Sequence, residues 1–369
     1  MINVGIGTTR LILGDEGNKI DGIGVYTKHL TESLITQGQL VTPFAFLGSK
    51  QVESQNITAL GDFSYQAIFS AMTQAPFINS KKIDKAVDVF HATDHFIPKL
   101  HKTPVIATIM DSMTLSHPEW ARGRGRKTKA YFFKQSAKWA QQVITISEYS
   151  ANEINHYFDI PESKISVIPL GVDESCYQKI PDFHKQQVLA RYNLPENYFI
   201  NIGTIQPRKN IQRLIAAHKQ LPLLTQEQHP LVLIGTMGWG SEDLKERIKT
   251  SEHIYYLDYI PLKDKYALLQ SSIALVFPSL YEGFGLPILE AFAANIPVIS
   301  SKTTSIPEVA GGAALLINPL DECELTDAMY EISLNNKLRI ALKIKGLKRA
   351  KQFSWAKTAE KTQQVYYKI

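Results

Sequence analysis

Short apolar runs alternate with longer segments of mixed polarity along the whole of this sequence. The runs have the length of β-strands, and their continuous apolar character is typical of strands that are buried on both faces of a parallel sheet. The segments between them are long enough for helices, so the pattern predicts βαβ units. We therefore predict an α/β fold with doubly wound parallel sheets. The predicted strands cover residues 1–7, 40–46, 87–90, 105–109, 143–146, 198–203, 231–235, 254–257, 273–277, 297–300 and 314–317.

The chain length and one interruption of this pattern predict two domains. With 369 residues, the chain exceeds the size at which a single core stops growing. A Pro/Gly turn at residues 168–173, followed by a polar stretch at 174–187, separates two sets of strands. We place the boundary after residue 172 and expect a ligand cleft between two doubly wound domains.

Composition excludes several classes of protein. Hydrophobic residues make up 44% and charged residues 20%, as in ordinary globular proteins. Cys176 and Cys323 are the two cysteines of the chain, and they have no metal-like spacing. The N-terminus lacks the features of a signal peptide, and no run approaches the ~20 apolar residues of a membrane helix. We expect a cytoplasmic protein, or one that is peripheral at the inner face of the cytoplasmic membrane.

Basic residues are unevenly distributed, although the formal net charge is only +5. Residues 122–138 contain seven basic residues and no acidic one, and so do residues 337–351. Aromatic residues interleave with the first cluster. This mixture fits an anionic membrane or an anionic lipid-linked substrate, and two solvated helix faces are the alternative. No recognisable nucleic-acid-binding motif accompanies the charge, so we do not expect nucleic acid as a partner.

The segment 273–293 carries the candidate chemistry. It predicts a buried strand, a loop with Gly283 and Gly285, and a helix with Pro287 at its first position. A helix N-terminus beside such a loop suits a phosphate. Glu282 on the loop and Glu290, predicted on the first helical turn, can accept hydrogen bonds from the hydroxyls of a nucleotide-sugar. The alternative is that Glu290 only complements the positive helix end and that Glu282 is solvated.

Seven motifs, in the same order as in one known family, accompany this segment. The chain resembles the retaining GT-B glycosyltransferases of family 4, also called glycosyl transferases group 1. Within that family it resembles the bacterial mannosyltransferases of polysaccharide and O-antigen assembly. The motifs are DGIGVY at 21–26, ITISEYS at 144–150, VIPLGVD at 167–173, GTIQPRKN at 203–210, the Glu-x7-Glu pair of Glu282 and Glu290, SIPEVAGG at 305–312 and FSW at 353–355.

The resemblance implies two Rossmann-like domains that face a central cleft. Residues 1–172 would bind the acceptor, residues 173–353 the nucleotide-sugar donor, and a helix at about 354–369 would cross back to the first domain. Arg122, Arg124 and Arg126 would contact the acceptor or a membrane. The implied catalytic residues are Glu282, Lys209 and Asp111. The implied donor-binding residues are Gly22, Gly203, Arg208, Lys209, Tyr259, Ile260, Glu282, Gly283, Phe284, Gly285, Leu286 and Glu290.

By the same resemblance, each part of the donor has its own partners. Glu282 would contact hydroxyls of the sugar, and Glu290 those of the ribose. Lys209 and the amides of residues 283–286 would hold the diphosphate. Arg208 is less certain to share this role, because adjacent residues at a strand-to-helix turn need not share a face.

Two positions depart from the family pattern. Many members carry arginine where this chain has Thr204, so Lys209 and Arg208 must supply the positive charge. Many members also carry His-Asp where this chain has Met110-Asp111, and methionine cannot make the hydrogen bonds of histidine. Either Asp111 acts alone, or a histidine from a nearby loop replaces the missing one. The candidates are His91, His95 and His117.

The resemblance further implies a retaining transfer without a metal or another cofactor. The departing diphosphate would take the acceptor proton, and the chain has no Asp-x-Asp motif to hold a metal. The expected donor is GDP-mannose, and the expected acceptor is a glycan or a polyprenyl-diphosphate-linked glycan. Three other functions stay open. They are a nucleotide-sugar epimerase or glycan phosphorylase on the same fold, an NAD-dependent enzyme suggested by Gly5-x-Gly7, and a non-catalytic sugar-binding protein.

Overall fold

A computed structural model describes residues 2–16, 20–48, 57–120, 125–238 and 242–369. The chain forms two compact units, one of residues 1–171 with 354–369 and one of residues 172–353. The first unit thus ends one residue before the predicted boundary, and the C-terminal helix belongs to it. None of the described helices is both long and apolar enough to cross a membrane.

The first unit contains seven strands among its described residues, in the order β3-β2-β1-β4-β5-β6-β7, and all neighbours are parallel. Its strands are β1 (Asn3–Gly7), β2 (Leu40–Ala45), β3 (Thr58–Ala59), β4 (Val89–Ala92), β5 (Val105–Thr108), β6 (Gln142–Thr145) and β7 (Ile165–Val167). Its helices are α1 (Thr9–Glu16), α2 (Gly22–Thr36), α3 (Phe63–Thr73), α4 (Ser80–Asp84), α5 (Met113–Ser116), α6 (Arg126–Ala137), α7 (Glu148–Phe158) and, from the C-terminus, α17 (Trp355–Tyr366).

The second unit contains six parallel strands in its described part, in the order β10-β9-β8-β11-β12-β13. Its strands are β8 (Phe199–Ile202), β9 (Leu231–Ile234), β10 (Ile254–Leu257), β11 (Ala274–Phe277), β12 (Val298–Ser301) and β13 (Leu315–Ile317). Its helices are α8 (Asp182–Arg191), α9 (Ile211–Lys219), α10 (Leu223–Gln228), α11 (Glu242–Lys249), α12 (Leu262–Ser271), α13 (Leu286–Ala293), α14 (Ile306–Ala310), α15 (Glu322–Leu334) and α16 (Asn336–Ala350).

The α/β fold class predicted from the apolar runs is confirmed. Central strands such as β4, β8 and β11 are buried along their whole length, as expected for a parallel sheet covered on both faces. The pattern missed β3 and β7, because two or three residues are too short to give a periodic signal.

In each sheet the chain reverses its direction of winding beside the first strand of the unit. This switch point lies between β1 and β4 in the first sheet and between β8 and β11 in the second. Open α/β sheets bind their ligands beyond the carboxyl ends of the two strands at such a point. The loops after β8 and β11 are therefore the place to look for a site in the second unit.

Helix α17 is held in the first unit by contacts at both of its ends. The Trp355 ring stacks on His29 with centroids 5.0 Å apart. At the other end, the Tyr366 hydroxyl lies 2.7 Å from Nδ1 of the buried His91 on β4. These contacts bring the last helix of the chain onto the first sheet.

Candidate active site

Hydrogen bonds join the loop after β8 to the loop after β11. A short 3-10 turn, Pro207–Lys209, ends at Asn210, whose backbone is left-handed with φ of +61°. The Asn210 side-chain amide donates to the carbonyls of Pro278 and Pro319, at 3.1 and 2.6 Å. The backbone N–H of Leu280 donates to the Arg208 carbonyl at 2.8 Å. The two loops therefore hold each other in a fixed arrangement at the switch point.

Serine hydroxyls of neighbouring segments donate hydrogen bonds to backbone carbonyls of the β11–α13 loop. Ser301 Oγ donates to the Ser279 carbonyl at 2.6 Å. Ser305 Oγ lies 2.8 Å from the carbonyl of Glu282 and 3.1 Å from that of Phe284. Gly285 caps the helix with φ of +104°, a backbone conformation that favours glycine.

Two details of the predicted helix are wrong. Helix α13 begins at Leu286, so Pro287 occupies its second position. Glu290 is the fifth residue of the helix and lies in its second turn, where the helix dipole acts weakly. The electrostatic explanation for Glu290 thus loses most of its support.

Three charged side chains meet at the switch point of the second sheet. Lys209 Nζ lies 2.5 Å from Glu282 Oε1, and Arg208 Nη1 lies 3.1 Å from Glu282 Oε2. Lys209 Nζ also lies 4.6 Å from the centroid of the Phe277 ring, a cation–π contact. Adjacent on the 3-10 turn, Arg208 and Lys209 do face the same way and bind the same carboxylate.

The cations keep the Glu282 carboxylate ionised. Burial raises the pKa of this group, but Lys209 and Arg208 outweigh burial and lower the pKa to about 2. The side chain of Glu282 is only 10% exposed, which strengthens these interactions. The three side chains together carry a net charge of +1, and such a place favours an anion.

Glu290 has its own partner on a different helix. Lys265 Nζ on α12 lies 2.8 and 2.9 Å from the two Glu290 carboxylate oxygens, and both side chains are largely buried. Each oxygen retains a lone pair that can accept a hydrogen bond from a hydroxyl group. Lys265 was missed from the sequence, because its meeting with Glu290 depends on how α12 and α13 pack.

The other predicted donor-binding residues of this unit surround the charged cluster or lie near it in sequence. Gly203 directly follows β8, and a Cβ atom there would lie 3.8 Å from Lys209 Cε. The Phe284 side chain is buried against Phe353, with ring centroids 5.9 Å apart, so it serves the core. Beyond β10, Tyr259 is exposed and Ile260 is buried. Gly283, Gly285 and Leu286 belong to the loop and to the first residue of α13.

The predicted residues of the first unit lie at a helix start and beyond a strand end. Gly22 begins α2, where the Asp21 carboxylate caps the helix by accepting the Gly24 N–H at 2.9 Å. The other oxygen of Asp21 pairs with Arg10. Asp111 follows β5, and its carboxylate accepts the Met113 N–H at 3.1 Å. Asp94, which sequence reasoning did not select, is buried beyond β4.

The histidines considered as replacements at position 110 have other partners. His91 is buried, with Nδ1 2.7 Å from the Tyr366 hydroxyl and Nε2 2.7 Å from Thr108 Oγ1. Burial lowers its pKa to about 3, so the ring stays neutral. His117 pairs with Glu119 at 3.0 Å. His95 is exposed and stacks on Phe133, with ring centroids 4.4 Å apart.

Of the three arginines assigned to acceptor or membrane, two lie outside the described residues, namely Arg122 and Arg124. Arg126 begins α6 and is exposed.

Comparisons with known proteins identify the family of this chain. Residues 184–349 match the family Glycosyl transferases group 1, and residues 20–175 match Glycosyltransferase Family 4. "O-antigen chain mannosyltransferase B" of Escherichia coli is 32% identical over 283 residues, which are 75% of this chain and 74% of that protein.

Solved structures share the fold at low sequence identity. A sucrose-phosphate synthase from Thermosynechococcus elongatus has a TM-score of 0.78 at 18% identity, over 100% of this chain and 99% of that one. Anabaena Alr3699/HepE, solved in complex with UDP-glucose, has a TM-score of 0.75 at 15% identity, and all of both chains is covered. The chain therefore belongs to the group 1, family 4 glycosyltransferases, has the GT-B fold and is a hexosyltransferase.

Proposed function

We propose that this enzyme transfers mannose from GDP-mannose to a glycan, or to a polyprenyl-diphosphate-linked glycan, during synthesis of a cell-surface polysaccharide. Mannose is supported by the similar E. coli enzyme, whose name describes an O-antigen chain mannosyltransferase. The single observation that carries the proposal is the meeting of Lys209 and Arg208 with Glu282 at the switch point of the second sheet.

When the donor binds, its diphosphate replaces Glu282 as the partner of Lys209 and Arg208. Lys209 and Arg208 bind Glu282, and the three side chains together carry a net charge of +1. A diphosphate brings two negative charges, so it competes with the carboxylate for the cations, and the amides of residues 283–286 assist at the start of α13. Glu282 then accepts hydrogen bonds from hydroxyls of the sugar, while Glu290 accepts those of the ribose.

The transfer retains the configuration of the sugar. The bond from the anomeric carbon to the phosphate oxygen breaks, and the acceptor oxygen bonds to the anomeric carbon on the same face. The acceptor proton passes to the departing phosphate oxygen. While it is paired with Lys209 and Arg208, Glu282 has a pKa of about 2, so in that arrangement it has no proton to supply near neutral pH. Lys209 and the helix N-terminus stabilise the charge that develops on the leaving group.

Neither a metal nor another cofactor takes part in this scheme. The charge of the leaving diphosphate is balanced by Lys209 and Arg208, the function that a divalent cation has in other phosphate sites. We expect full activity in excess EDTA. Loss of activity that Mg²⁺ restores would contradict this part of the proposal.

The first unit binds the acceptor, and Asp111 contacts the acceptor. Since the acceptor is anchored in a lipid bilayer, we propose that the enzyme associates peripherally with the inner face of the cytoplasmic membrane. Arg122, Arg124 and Arg126 take part in this association, because each cation near an anionic surface contributes about 1 kcal/mol.

A screen of nucleotide-sugars tests the donor. A ligand at 100 times its dissociation constant adds about 2.7 kcal/mol to the stability of the folded protein. GDP-mannose should raise the melting temperature, and UDP-glucose should raise it less. NMR of the product should show the anomeric configuration of the donor. A larger shift with a UDP-sugar would contradict the proposed donor, and an inverted product would contradict the mechanism. Conversion of the donor without any acceptor would instead favour an epimerase.

A further inference from the structure

After its first residue, helix α3 of the first unit exposes its large apolar side chains and buries small and polar ones. Its buried residues are Gln66, Ala67 and Ser70. Gln66 is satisfied there, because its amide donates to the Leu60 carbonyl at 2.7 Å. The exposed residues, which we call the α3 stripe, are Tyr65, Ile68, Phe69 and Met72, with 66%, 45%, 37% and 80% of their surface accessible.

The α3 stripe is one continuous face of the helix. Its members are spaced i, i+3, i+4 and i+7, so their side chains are neighbours. Residues 63–80 contain no charged side chain, and Ile78, just beyond the helix, is exposed as well. A surface helix of a soluble protein normally has the opposite polarity. Contiguous exposed apolar residues of this kind mark an interaction site.

The core does not require these four residues to be apolar. Phe63, at the start of α3, provides the anchor, with its ring centroid 5.1 Å from those of Phe46 and Phe96. Ala67 packs into the same core cluster. The α3 stripe therefore lies outside the packing that holds the helix in place.

Cations line the helix that packs beside α3. Helix α6 contacts α3 and exposes Arg126, Lys127 and Lys129 in its first turn. No acidic residue occurs between residues 120 and 147. The cations at the far end of α6 are already engaged, because Lys134 and Lys138 both form salt bridges with Asp159, at 2.7 and 3.2 Å.

We propose that the α3 stripe and the first turn of α6 form one docking surface for an anionic lipid bilayer. The apolar side chains enter the interface between headgroups and acyl chains, while Arg126, Lys127 and Lys129 contact lipid phosphates. This inference rests on the membrane association in the proposed function and names the surface responsible for it.

Charge favours a bilayer over the other occupants. A symmetric dimer would place this surface against itself, so the cations of the two copies would repel each other. A nucleic acid would satisfy the cations but not an apolar stripe. An anionic bilayer complements both parts of the surface.

The first test changes the apolar part. Ile68→Glu with Met72→Glu should weaken co-sedimentation with phosphatidylcholine–phosphatidylglycerol vesicles at least about tenfold. The matched control is Leu223→Glu with Leu224→Glu, two similarly exposed apolar residues of the second unit. The control should bind as the wild type does. Equal binding by all three proteins, or equal loss in both variants, would overturn the proposal.

The second test changes the charge and does not disturb the apolar stripe. Reversal of Arg126, Lys127 and Lys129 to Glu should reduce binding to the same vesicles at least about tenfold, since three cations near the surface are lost. The control reverses Lys345, Lys348 and Lys351, which are exposed on or just after α16. Equal losses in the two triple variants would overturn the proposal, because charge alone would then explain binding.

Two further readouts separate this inference from the proposed function. The Ile68→Glu, Met72→Glu variant should keep wild-type turnover with a soluble acceptor, which shows that it folds, and lose activity on acceptor embedded in vesicles. Vesicle binding needs no donor, so it can fail while sugar transfer stands, and the reverse is also true. A wild-type dimer that this variant converts to a monomer in light scattering would overturn the bilayer in favour of a second copy.

Discussion

The two units have the same strand arrangement around their first strand, yet the carboxylate beyond the equivalent strand has a raised pKa in the first unit and a lowered pKa in the second. Asp94 lies beyond β4 and Glu282 beyond β11, each beside the switch point of its sheet. Glu282 binds two cations, and its pKa is about 2. For Asp94, burial is the largest influence, and it raises the pKa to about 7 although the backbone N–H groups of Arg10 and Phe96 donate to the carboxylate.

The difference arises in the residues that follow the first strand of each unit. In the second unit, the 3-10 turn after β8 directs Lys209 and Arg208 onto Glu282. In the first unit, Arg10 lies in the first turn of α1, just after β1, and its guanidinium pairs with Asp21 instead. Topology thus places a carboxylate beside the switch point of both sheets, and the residues after the first strand decide whether two cations bind it.

Of the substitutions at these two carboxylate sites, removal of Lys209 should have the largest effect. We expect Lys209→Ala to lower turnover at least about a hundredfold and to leave the fold intact, because a cation at the leaving group is lost. The control is Lys302→Ala, which removes an exposed lysine paired with Glu324 at 3.3 Å. Steady-state kinetics with saturating donor should show turnover close to wild type for the control.

Glu282→Ala should also lower turnover at least about a hundredfold, because contacts to the sugar are lost. Glu282→Gln keeps the shape of the side chain and leaves Lys209 and Arg208 in place, so this variant should still bind GDP. Calorimetry with GDP and kinetics with the complete donor separate the two effects. Wild-type turnover of Glu282→Ala with saturating donor would show that the site is misassigned.

Glu290→Ala should act mainly on donor binding. We expect the donor KM to rise about tenfold and kcat to change less, because contacts to the ribose form before the transition state. Lys265→Ala should show a smaller change in the same direction, since Lys265 acts through Glu290. A fall in kcat without a change in KM would contradict these roles.

Asp94→Asn tests the first unit through stability. The folded pKa of Asp94 is above its unfolded value, so the folded state binds the extra proton, and stability falls as pH rises from about 4 to about 7. The pKa of Glu282 is instead lowered in the folded state, so the contribution of Glu282 to stability is lost only as pH falls towards about 2. Urea unfolding of the wild type should therefore lose up to about 2 kcal/mol between about pH 5 and about pH 7, and Asp94→Asn should lose less. Equal losses would contradict the proposed burial of this carboxylate.

The sequence predicts the fold better than it predicts the side-chain partners. Strand ends were found within one or two residues for most strands, because a buried parallel strand has a continuous apolar run of its own. The loop and helix around Glu282 were also readable from Gly285 and Pro287, which have fixed backbone preferences.

Partners that meet only through tertiary packing were not predictable. Lys265 and Glu290 lie on different helices, and Asn210 joins loops that are far apart in sequence. The exposure of the α3 stripe was not predictable either. The same apolar spacing occurs in a helix that packs on a core. The partners of His91, which are Thr108 and Tyr366, also meet it only through tertiary packing.

Calorimetric titration of GDP-mannose tests the central claim most directly, namely that the cluster of Lys209, Arg208 and Glu282 is the donor site. The account predicts that the wild type and Lys302→Ala bind GDP-mannose with equal affinity. It also predicts binding at least about tenfold weaker, or 1.4 kcal/mol, for Lys209→Ala. Equal affinity of all three proteins for GDP-mannose, or no binding by the wild type, would contradict the claim.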